Sequence, residues 1–339
     1  MRRHLTPLRV VGGIVAVALC ALLILFLLPS SEYLLLPDVA HPVAPLVQVQ
    51  DAHPAKDGSL YFVDVVERRA TELERLFPWI HPHGTLEPAG AIIPPCSTAA
   101  QADAAQFEAM RVSQQIAAAV ALRRLGYHVD VRPSGVVVSQ LFEGTNAPCT
   151  LQPMDVIVSL DGKRTPTVAS LHSALDGVKP GSVVDLRIRR GNTLLPLKLR
   201  TVSEAAEPGH AFIGIGVDQA AHIKLPVHVS IDASGIGGPS AGLAFALEVM
   251  QKLGRNVLHG HRVAATGEMQ LDGSVAPIGG VKQKTYGVRE AGADVFLVPA
   301  GENAKTARRY AGPVKIIPVH TFNQALRALA TLPRTSPRA

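Results

Sequence analysis

The sequence predicts a mixed α/β protein with an α/β unit near its C-terminus, a smaller β-rich unit before it and an N-terminal transmembrane helix. An uncharged apolar run over residues 10–28 is long enough to cross a bilayer of about 30 Å. Short strand-like runs separated by tight turns fill residues 126–203. Strands alternate with helices over residues 210–332, which is typical of an α/β fold.

The apolar run follows a basic N-terminus, residues 1–9, which contains three arginines. Basic residues before a span favour the cytoplasmic side, so we expect a single-pass cell-membrane protein whose residues after 30 lie outside the cytoplasm. A secretory signal peptide has a shorter apolar core and a small-residue cleavage site, and no clear site follows this run, which favours an uncleaved anchor. Cys20 would fit a lipoprotein, but the bulky Leu19 before it and the apolar residues after it favour an ordinary membrane residue.

Residues 30–125 are predicted to form an N-terminal extracytoplasmic segment. Residue preference and alternation predict a strand over residues 60–66, and a short helix over residues 71–77 is stopped by a proline. An alanine-rich run predicts a long helix over residues 101–124, ended by Gly126.

Composition limits the partners and cofactors of the chain. The formal net charge of +6 is spread over separate segments without an aromatic-interleaved basic stripe, which argues against nucleic-acid binding. The 13 histidines contain no His-x-x-x-His pair, and neither Cys96 nor Cys149 has a metal-binding neighbour at suitable spacing, so we predict no metal site. In an oxidising compartment these two cysteines either form a disulfide or stay free, because the sequence does not give their separation.

The order of elements in residues 126–203 is distinctive. A strand, a turn, a second strand that ends in an Asp-Gly turn, a short helix over residues 168–175 and two further strands follow one another. This order resembles a PDZ domain of the bacterial protease type, although Met154 stands where a glycine normally precedes the aspartate, and Cys149 stands where a small residue is usual. The resemblance implies a groove that takes an extended peptide by β-addition, with residues 125–128 as the candidate loop for a terminal carboxylate.

A glycine-rich turn carries the candidate nucleophile, Ser240. Four glycines and a proline between residues 235 and 242 cannot continue a strand, and an apolar, helix-forming run follows them. Ser240 is therefore predicted at a helix N-terminus, where backbone N–H groups without intrahelical partners would stabilise an oxyanion. The alternative is that Ser240 is only an N-cap, as serines before helices commonly are.

A serine nucleophile needs a base, and a lysine can serve if burial lowers its pKa. A second glycine turn precedes a helical run that contains Lys282 and Lys284. Residues two apart on a helix point in different directions, so one lysine can face inward while the other is solvated.

Three motifs in this order resemble the proteolytic domain of the Lon protease family, over roughly residues 212–332. They are Gly-Pro-Ser-Ala-Gly around Ser240, Thr266-Gly267-Glu268, and the Pro-Ile-Gly-Gly-Val-Lys-Gln-Lys run that ends at Lys284. The resemblance implies that Ser240 is the nucleophile, that Lys284 is its base and that Thr266 hydrogen-bonds the lysine. Lys282 is then the solvated, cationic lysine. The resemblance also implies a homo-oligomer, a hexameric ring.

Further residues are expected to support this site. Gly237, Gly238 and Pro239 shape the turn, and backbone N–H groups around Ser240 and the preceding glycines would hold the oxyanion. Asp232 comes just before the turn, where it either steadies the lysine electrostatically or hydrogen-bonds the backbone of its own loop.

Together these features predict an ATP-independent, membrane-anchored serine endopeptidase with a Ser–Lys dyad and no cofactor. No Gly-x-x-x-x-Gly-Lys-[Ser/Thr] sequence occurs, so we expect no ATP-driven unfoldase in this chain and substrates that are already unfolded or extended. The PDZ-like unit would recognise substrate peptides or regulate the enzyme.

The alternative is a catalytically inactive, membrane-tethered PDZ adaptor, against which the intact set of Ser240, Thr266 and Lys284 argues. A linker over residues 205–209 and a basic tail over residues 333–339 complete the expected organisation.

Overall fold

The computed structural model describes residues 7–55, 57–203 and 209–333. The expected basic N-terminus, the expected linker and the expected tail lie mostly outside the described residues. The predicted mixed α/β architecture with an N-terminal apolar helix is confirmed.

The described residues form nine α-helices, numbered here in chain order: α1 Pro7–Leu27, α2 Glu72–Leu76, α3 Ala89–Ile92, α4 Ala99–Arg124, α5 Val168–Leu175, α6 Gly242–Lys252, α7 Val281–Glu290, α8 Glu302–Tyr310 and α9 Phe322–Ala330. The same residues form twenty strands: β1 Pro29–Pro37, β2 His41–Pro42, β3 Val47–Val49, β4 Ser59–Phe62, β5 Val65–Thr71, β6 Thr85–Pro88, β7 Asp130–Leu141, β8 Val156–Leu160, β9 Lys163–Arg164, β10 Val183–Arg190, β11 Thr193–Arg200, β12 Val202–Ser203, β13 Ala211–Phe212, β14 Ile215–Lys224, β15 Val229–Ile231, β16 Arg262–Ala265, β17 Glu268–Met269, β18 Val275–Ala276, β19 Val295–Pro299 and β20 Lys315–Val319.

The N-terminal helix α1 covers nearly the whole predicted apolar run. Its Val10–Leu27 part has a mean hydropathy of 3.0 and is not buried against the rest of the chain. Among the described helices, α1 is the one long and apolar enough to cross a membrane. A signal sequence has the same features, so α1 is either a membrane span or a signal sequence.

The α/β unit is built around a five-stranded sheet with the strand order β2-β4-β16-β19-β20. The last four strands are parallel, and β2 is an antiparallel edge strand. The helix α6 packs against β4 and β16, and its residues are buried from Gly242 to Gln251. Phe62, Phe245 and Leu297 belong to the core between helix and sheet, so burial of these apolar side chains stabilises the unit.

The segment expected to precede the α/β unit supplies part of that unit. The strand β4 lies in the parallel sheet, β3 pairs with β15, and α4 packs on α6. The single strand predicted over residues 60–66 is wrong, because the chain leaves the parallel sheet after Phe62. It passes through Val63 and Asp64 and then pairs as β5 with β1 in a separate three-stranded sheet.

The β-rich unit is a six-stranded sheet with the order β11-β10-β8-β7-β14 and with β9 beside β8. Five of its fully buried apolar residues are Val136, Ile157, Leu171, Leu186 and Ile188. The strand β14 pairs antiparallel with β7 from Ile215 opposite Leu141 to Lys224 opposite Asp130. Residues 215–224 were expected in the α/β unit, whereas in the structure β14 extends the sheet of the β-rich unit.

Cys96 and Cys149 form a disulfide, with their Cα atoms 5.0 Å apart. The bridge joins the segment before α4 to a 3₁₀ turn of the β-rich unit, Ala147–Cys149. Of the two alternatives, a disulfide or two free cysteines, the structure contains the disulfide. Cys20 is a free cysteine, exposed on α1.

The loop predicted to hold a peptide carboxylate has another role. Leu125 is the C-cap of α4, and Gly126 has a φ of +89°, which suits the turn that ends a helix. The N–H groups of Leu125, Gly126 and Tyr127 donate to carbonyls of Ala121, Arg123 and Leu122. Because these donors cap the helix, residues 125–128 are the wrong choice for the carboxylate loop.

Candidate active site

The turn that carries Ser240 is shaped by glycines, as the sequence predicts. A 3₁₀ turn, Pro239–Ala241, leads directly into α6. Gly238 has a φ of +84°, a conformation that side chains other than glycine rarely adopt. A Cβ on Gly242 would lie 2.8 Å from Ser113 Oγ and 2.9 Å from Met269 Cβ, so only glycine allows this close packing.

Ser240 is not an N-cap. The N-cap residues of the 3₁₀ turn and of α6 are Gly238 and Ala241, and neither element has a side-chain cap hydrogen bond. The Oγ atom of Ser240 is instead hydrogen-bonded to Nζ of Lys284, at 2.6 Å.

Lys284 lies on the first turn of α7 and is 4% exposed. Burial disfavours its ammonium form, while the negative charge of Asp64 favours it, and the net effect lowers the pKa of Lys284 to about 8. A minor fraction of the amine is therefore neutral near pH 7, and a neutral amine can accept a proton from a serine hydroxyl.

Helix α4 holds the nucleophile turn from one side. The hydroxyl of Ser113 donates to the carbonyl of Pro239 at 2.9 Å, and the N–H of Gly238 donates to the carbonyl of Gln106 at 2.9 Å. The N–H of Gly238 is therefore already hydrogen-bonded and cannot donate to an oxyanion, and Pro239 has no N–H. Of the predicted oxyanion donors, the N–H groups of Gly237 and of Ser240 itself remain candidates.

Thr266 holds the same turn from the other side. Its Oγ1 donates to the carbonyl of Ser240 at 3.1 Å, and the N–H of Gly267 donates to that carbonyl at 2.7 Å. The expected bond from Thr266 to the lysine is not formed between these described residues: Lys284 Nζ is bonded to Ser240 Oγ, and the Thr266 hydroxyl donates to the Ser240 carbonyl. Thr266 thus holds the Ser240 turn at the end of β16.

Asp232 has the second of its two predicted roles. Its Oδ1 accepts hydrogen bonds from the N–H of Ser234, at 3.0 Å, and from the Ser234 hydroxyl. These bonds lower the pKa of Asp232. Asp64, and not Asp232, is the carboxylate whose charge acts on Lys284.

Asp64 is a site residue that sequence reasoning missed. It lies between β4 and β5, and its Oδ1 is buried without a hydrogen-bond partner in the described part of the chain. Burial and the nearby Asp38 raise the pKa of Asp64, whereas His41 and Lys284 lower it. The usable signal was a carboxylate inside an otherwise apolar run, since a charge there needs a partner.

Asp38, His41 and Asp64 are the one group in the described residues whose ligand atoms lie close enough, within 4.8 Å, to share a metal ion. His41 Nε2 lies 3.4 Å from Asp38 Oδ2 and 3.5 Å from Asp64 Oδ1. The imidazole lies between the two carboxylates and is within hydrogen-bonding distance of Asp38.

Lys282 points away from Ser240 and is not simply solvated. Its Nζ donates to the carbonyl of Gly84 at 2.8 Å and approaches Thr85 Oγ1 at 3.4 Å. The prediction of a freely solvated Lys282 is therefore wrong, since the loop before β6 covers its ammonium group.

Comparisons with known proteins match two parts of the chain. Residues 209–330 match the Lon protease (S16) C-terminal proteolytic domain, and residues 123–201 match the PDZ domain. This chain carries a Lon-type proteolytic domain and a PDZ domain. The PDZ match stops before β14, which belongs to the same sheet in the structure.

Lon proteases resemble this chain over part of their length. Lon protease from Desulforamulus reducens is 36% identical over 118 residues, which are 32% of this chain and 14% of that protein. Lon protease 2 from Bacillus subtilis is 34% identical over 118 residues, 35% of this chain and 20% of that protein. The mitochondrial Lon protease homolog of Ostreococcus lucimarinus is 32% identical over 172 residues, 51% of this chain and 16% of that protein. The matches support a serine-type peptidase, and this chain spans a fifth or less of these relatives.

Among solved structures, the PDZ domain of the SdrC-like protein from Listeria monocytogenes is similar, with 20% identity and a TM-score of 0.23. The match covers 25% of this chain and 87% of that one. A solution structure from Geobacillus thermodenitrificans has the same identity and TM-score and covers 25% of this chain and 97% of that one.

The two lysines of α7 are expected to differ sharply on mutation. Lys284→Arg should lower kcat by about 100-fold or more, because a guanidinium stays protonated and cannot accept the serine proton. Lys282→Arg is the matched control and should keep most activity, because its partners Gly84 and Thr85 lie outside the dyad. The measurement is the rate of cleavage of an unfolded protein against pH, which should rise through a pKa of about 8 in the wild type. A near-normal rate for Lys284→Arg would show that the base is wrongly assigned.

Asp64→Asn is expected to shift the acid limb of the pH–rate profile to lower pH, by roughly 0.5–1 unit. The carboxylate favours the ammonium form of Lys284, so its removal makes the neutral amine available at lower pH. Asp38→Asn is the control: Asp38 raises the pKa of Asp64, so its loss keeps Asp64 ionised and the limb should stay or move to higher pH. A purely structural role for Asp64 would instead lower the rate at every pH without moving the limb.

Proposed function

We propose that this chain is a serine endopeptidase that uses Ser240 and Lys284 as a catalytic dyad. The observation that carries the proposal is the 2.6 Å contact between Ser240 Oγ and the buried Lys284 Nζ. The Lon-type proteolytic domain supports it, because that domain covers both residues.

The proposed reaction proceeds through an acyl-enzyme. The neutral amine of Lys284 takes the proton of the Ser240 hydroxyl as Oγ attacks the peptide carbonyl and forms the C–O bond. The lysine then donates this proton to the leaving amine as the C–N bond breaks. Water, activated by the same amine, hydrolyses the ester and restores the hydroxyl. The N–H groups of Gly237 and Ser240, in the turn before α6, would stabilise the oxyanion in both steps.

We propose that α1 anchors the enzyme in the membrane with its catalytic residues outside the cytoplasm. The length and hydropathy of α1 support the anchor, and the Cys96–Cys149 disulfide supports an oxidising compartment. ATP independence belongs to this proposal, as does the homo-oligomeric ring that the resemblance implies.

The PDZ domain is proposed to present an extended segment of a protein substrate. In the described sheet, β14 is the last strand and pairs only with β7, so its outer edge offers unpaired backbone groups for β-addition. Helix α5 packs beside this strand. Only four residues separate β14 from β15, and β15 leads to the nucleophile turn, so a peptide on this edge lies on a unit directly joined to the site.

Ser240→Ala is expected to lower cleavage of an unfolded protein by about 10⁴-fold or more, because no other group in the dyad can form the ester. The fold should remain, since the backbone of the turn is hydrogen-bonded to the Gln106 carbonyl and to the hydroxyls of Ser113 and Thr266, and none of these bonds uses the Ser240 side chain. Ser274→Ala is the matched control: this serine lies in another tight turn, bonded to Asp272, and should keep most activity. A measurable rate in Ser240→Ala equal to that of the wild type would indicate another nucleophile, and no cleavage by either protein would support the inactive-adaptor alternative.

A reporter fused after residue 339 is expected to report the extracytoplasmic side. A phosphatase that needs disulfides to fold should be active there, and a β-galactosidase should not, because basic residues precede α1. The measurement is the activity of both fusions in intact bacterial cells. The opposite pattern would place the proteolytic domain in the cytoplasm.

A further inference from the structure

An exposed apolar surface lies at the end of α2 and in the 3₁₀ turn that follows, Pro78–Ile80. Leu76, Trp79 and Ile80 are 47%, 70% and 46% exposed, although each side chain is large and apolar. We call these three residues the apolar tip. Large apolar side chains clustered on so short a segment are typical of an interaction surface.

The apolar tip belongs to an element that contacts α1. The N–H of Glu72, the first residue of α2, donates to the carbonyl of Leu28 at 2.9 Å. Leu27 and Leu28, at the end of α1, are 68% and 48% exposed. The exposed apolar surface of α1 is therefore followed by a second apolar surface on the helix that touches its end.

Polar contacts fix the tip in place. Thr71 and Glu74 form a capping box at the start of α2. The buried carboxylate of Glu74 also binds the guanidinium of Arg68 and accepts from His81 Nε2 at 2.8 Å, just after the tip. These bonds lower the pKa of Glu74, so its carboxylate is ionised at neutral pH. The tip is thus presented by a short, well-bonded segment.

We propose that the apolar tip inserts into the interfacial region of the lipid bilayer, beside the point where α1 leaves it. The inference rests on the proposed membrane anchoring of α1. Lipid is the occupant that fits, because the tip adjoins the end of the apolar helix and contains a tryptophan, a residue enriched at membrane interfaces. The insertion would give the proteolytic domain a second contact with the membrane and limit its rotation about the end of α1.

Trp79 is the only tryptophan in the chain, so its fluorescence reports the tip directly. The full chain, with Ser240→Ala to prevent self-cleavage, is reconstituted into phosphatidylcholine–phosphatidylglycerol vesicles with or without lipids brominated near the headgroup. We expect a blue-shifted emission, quenching of about half or more by the brominated lipid, and weak quenching by acrylamide. Emission typical of water, with strong acrylamide quenching and no effect of brominated lipid, would overturn the proposal.

Two further outcomes would count against lipid insertion of the tip. Trp79 shielded from both quenchers, in a way that depends on protein concentration, would mean that a second copy covers the tip and would overturn the proposal. Failure of the chain to float with the vesicles would overturn the anchoring by α1 and this inference with it, while the Ser240–Lys284 proposal is tested separately by activity in detergent.

A matched variant tests whether the quenching is specific to the tip. Trp79→Phe combined with Leu194→Trp moves the fluorophore to β11 of the PDZ domain, where Leu194 is 58% exposed. This tryptophan should be quenched by acrylamide and unaffected by brominated lipid. Leu76→Asp combined with Ile80→Asp should reduce the brominated-lipid quenching of Trp79 at least twofold while the chain still floats; unchanged quenching would show that the tip residues do not insert.

Discussion

The contact between a buried lysine amine and a serine hydroxyl is the constraint on which the rest of the site depends. Burial removes Lys284 from water and favours its neutral form, whereas Asp64 opposes this effect through its negative charge. With a pKa of about 8, about a tenth of the lysine is neutral at pH 7. In the proposed dyad, this fraction of neutral lysine would act as the base. In the protonated fraction, the negative charge of Asp64 compensates the ammonium charge.

This contact requires Ser240 to be fixed, and the chain fixes it from two sides. Helix α4, which precedes the PDZ domain, bonds Pro239 and Gly238 through Ser113 and Gln106. The end of β16, which follows the PDZ domain, bonds the Ser240 carbonyl through Thr266 and Gly267. The PDZ domain is thus inserted between two parts of one packed unit, and the Cys96–Cys149 bridge ties it to the segment just before α4.

The parts of the site that the sequence predicts are those with local causes. The glycine turn makes Ser240 a candidate from its neighbours in the chain alone. The Lys-x-Lys spacing shows only that one lysine can face inward, and the resemblance to the Lon family selects Lys284. Asp64 escaped prediction, since its effect on Lys284 comes from a tertiary contact between residues far apart in the sequence. The assignment of residues 125–128 to a carboxylate loop failed for a related reason: a Leu-Gly sequence serves equally well to end a helix, and α4 uses it so.

Lys284, the proposed base, lies close to the segment that follows α1. Gln283, which precedes Lys284, bonds the carbonyl of Leu35 at 3.5 Å and Thr85 Oγ1 at 2.7 Å. Leu35 is seven residues beyond Leu28, and seven extended residues span at most about 25 Å. If α1 spans the bilayer as proposed, the start of α7 lies within roughly 30 Å of the point where the chain leaves the membrane. Under the same proposal, a peptide has to come within this distance of the membrane surface to reach Ser240 and Lys284.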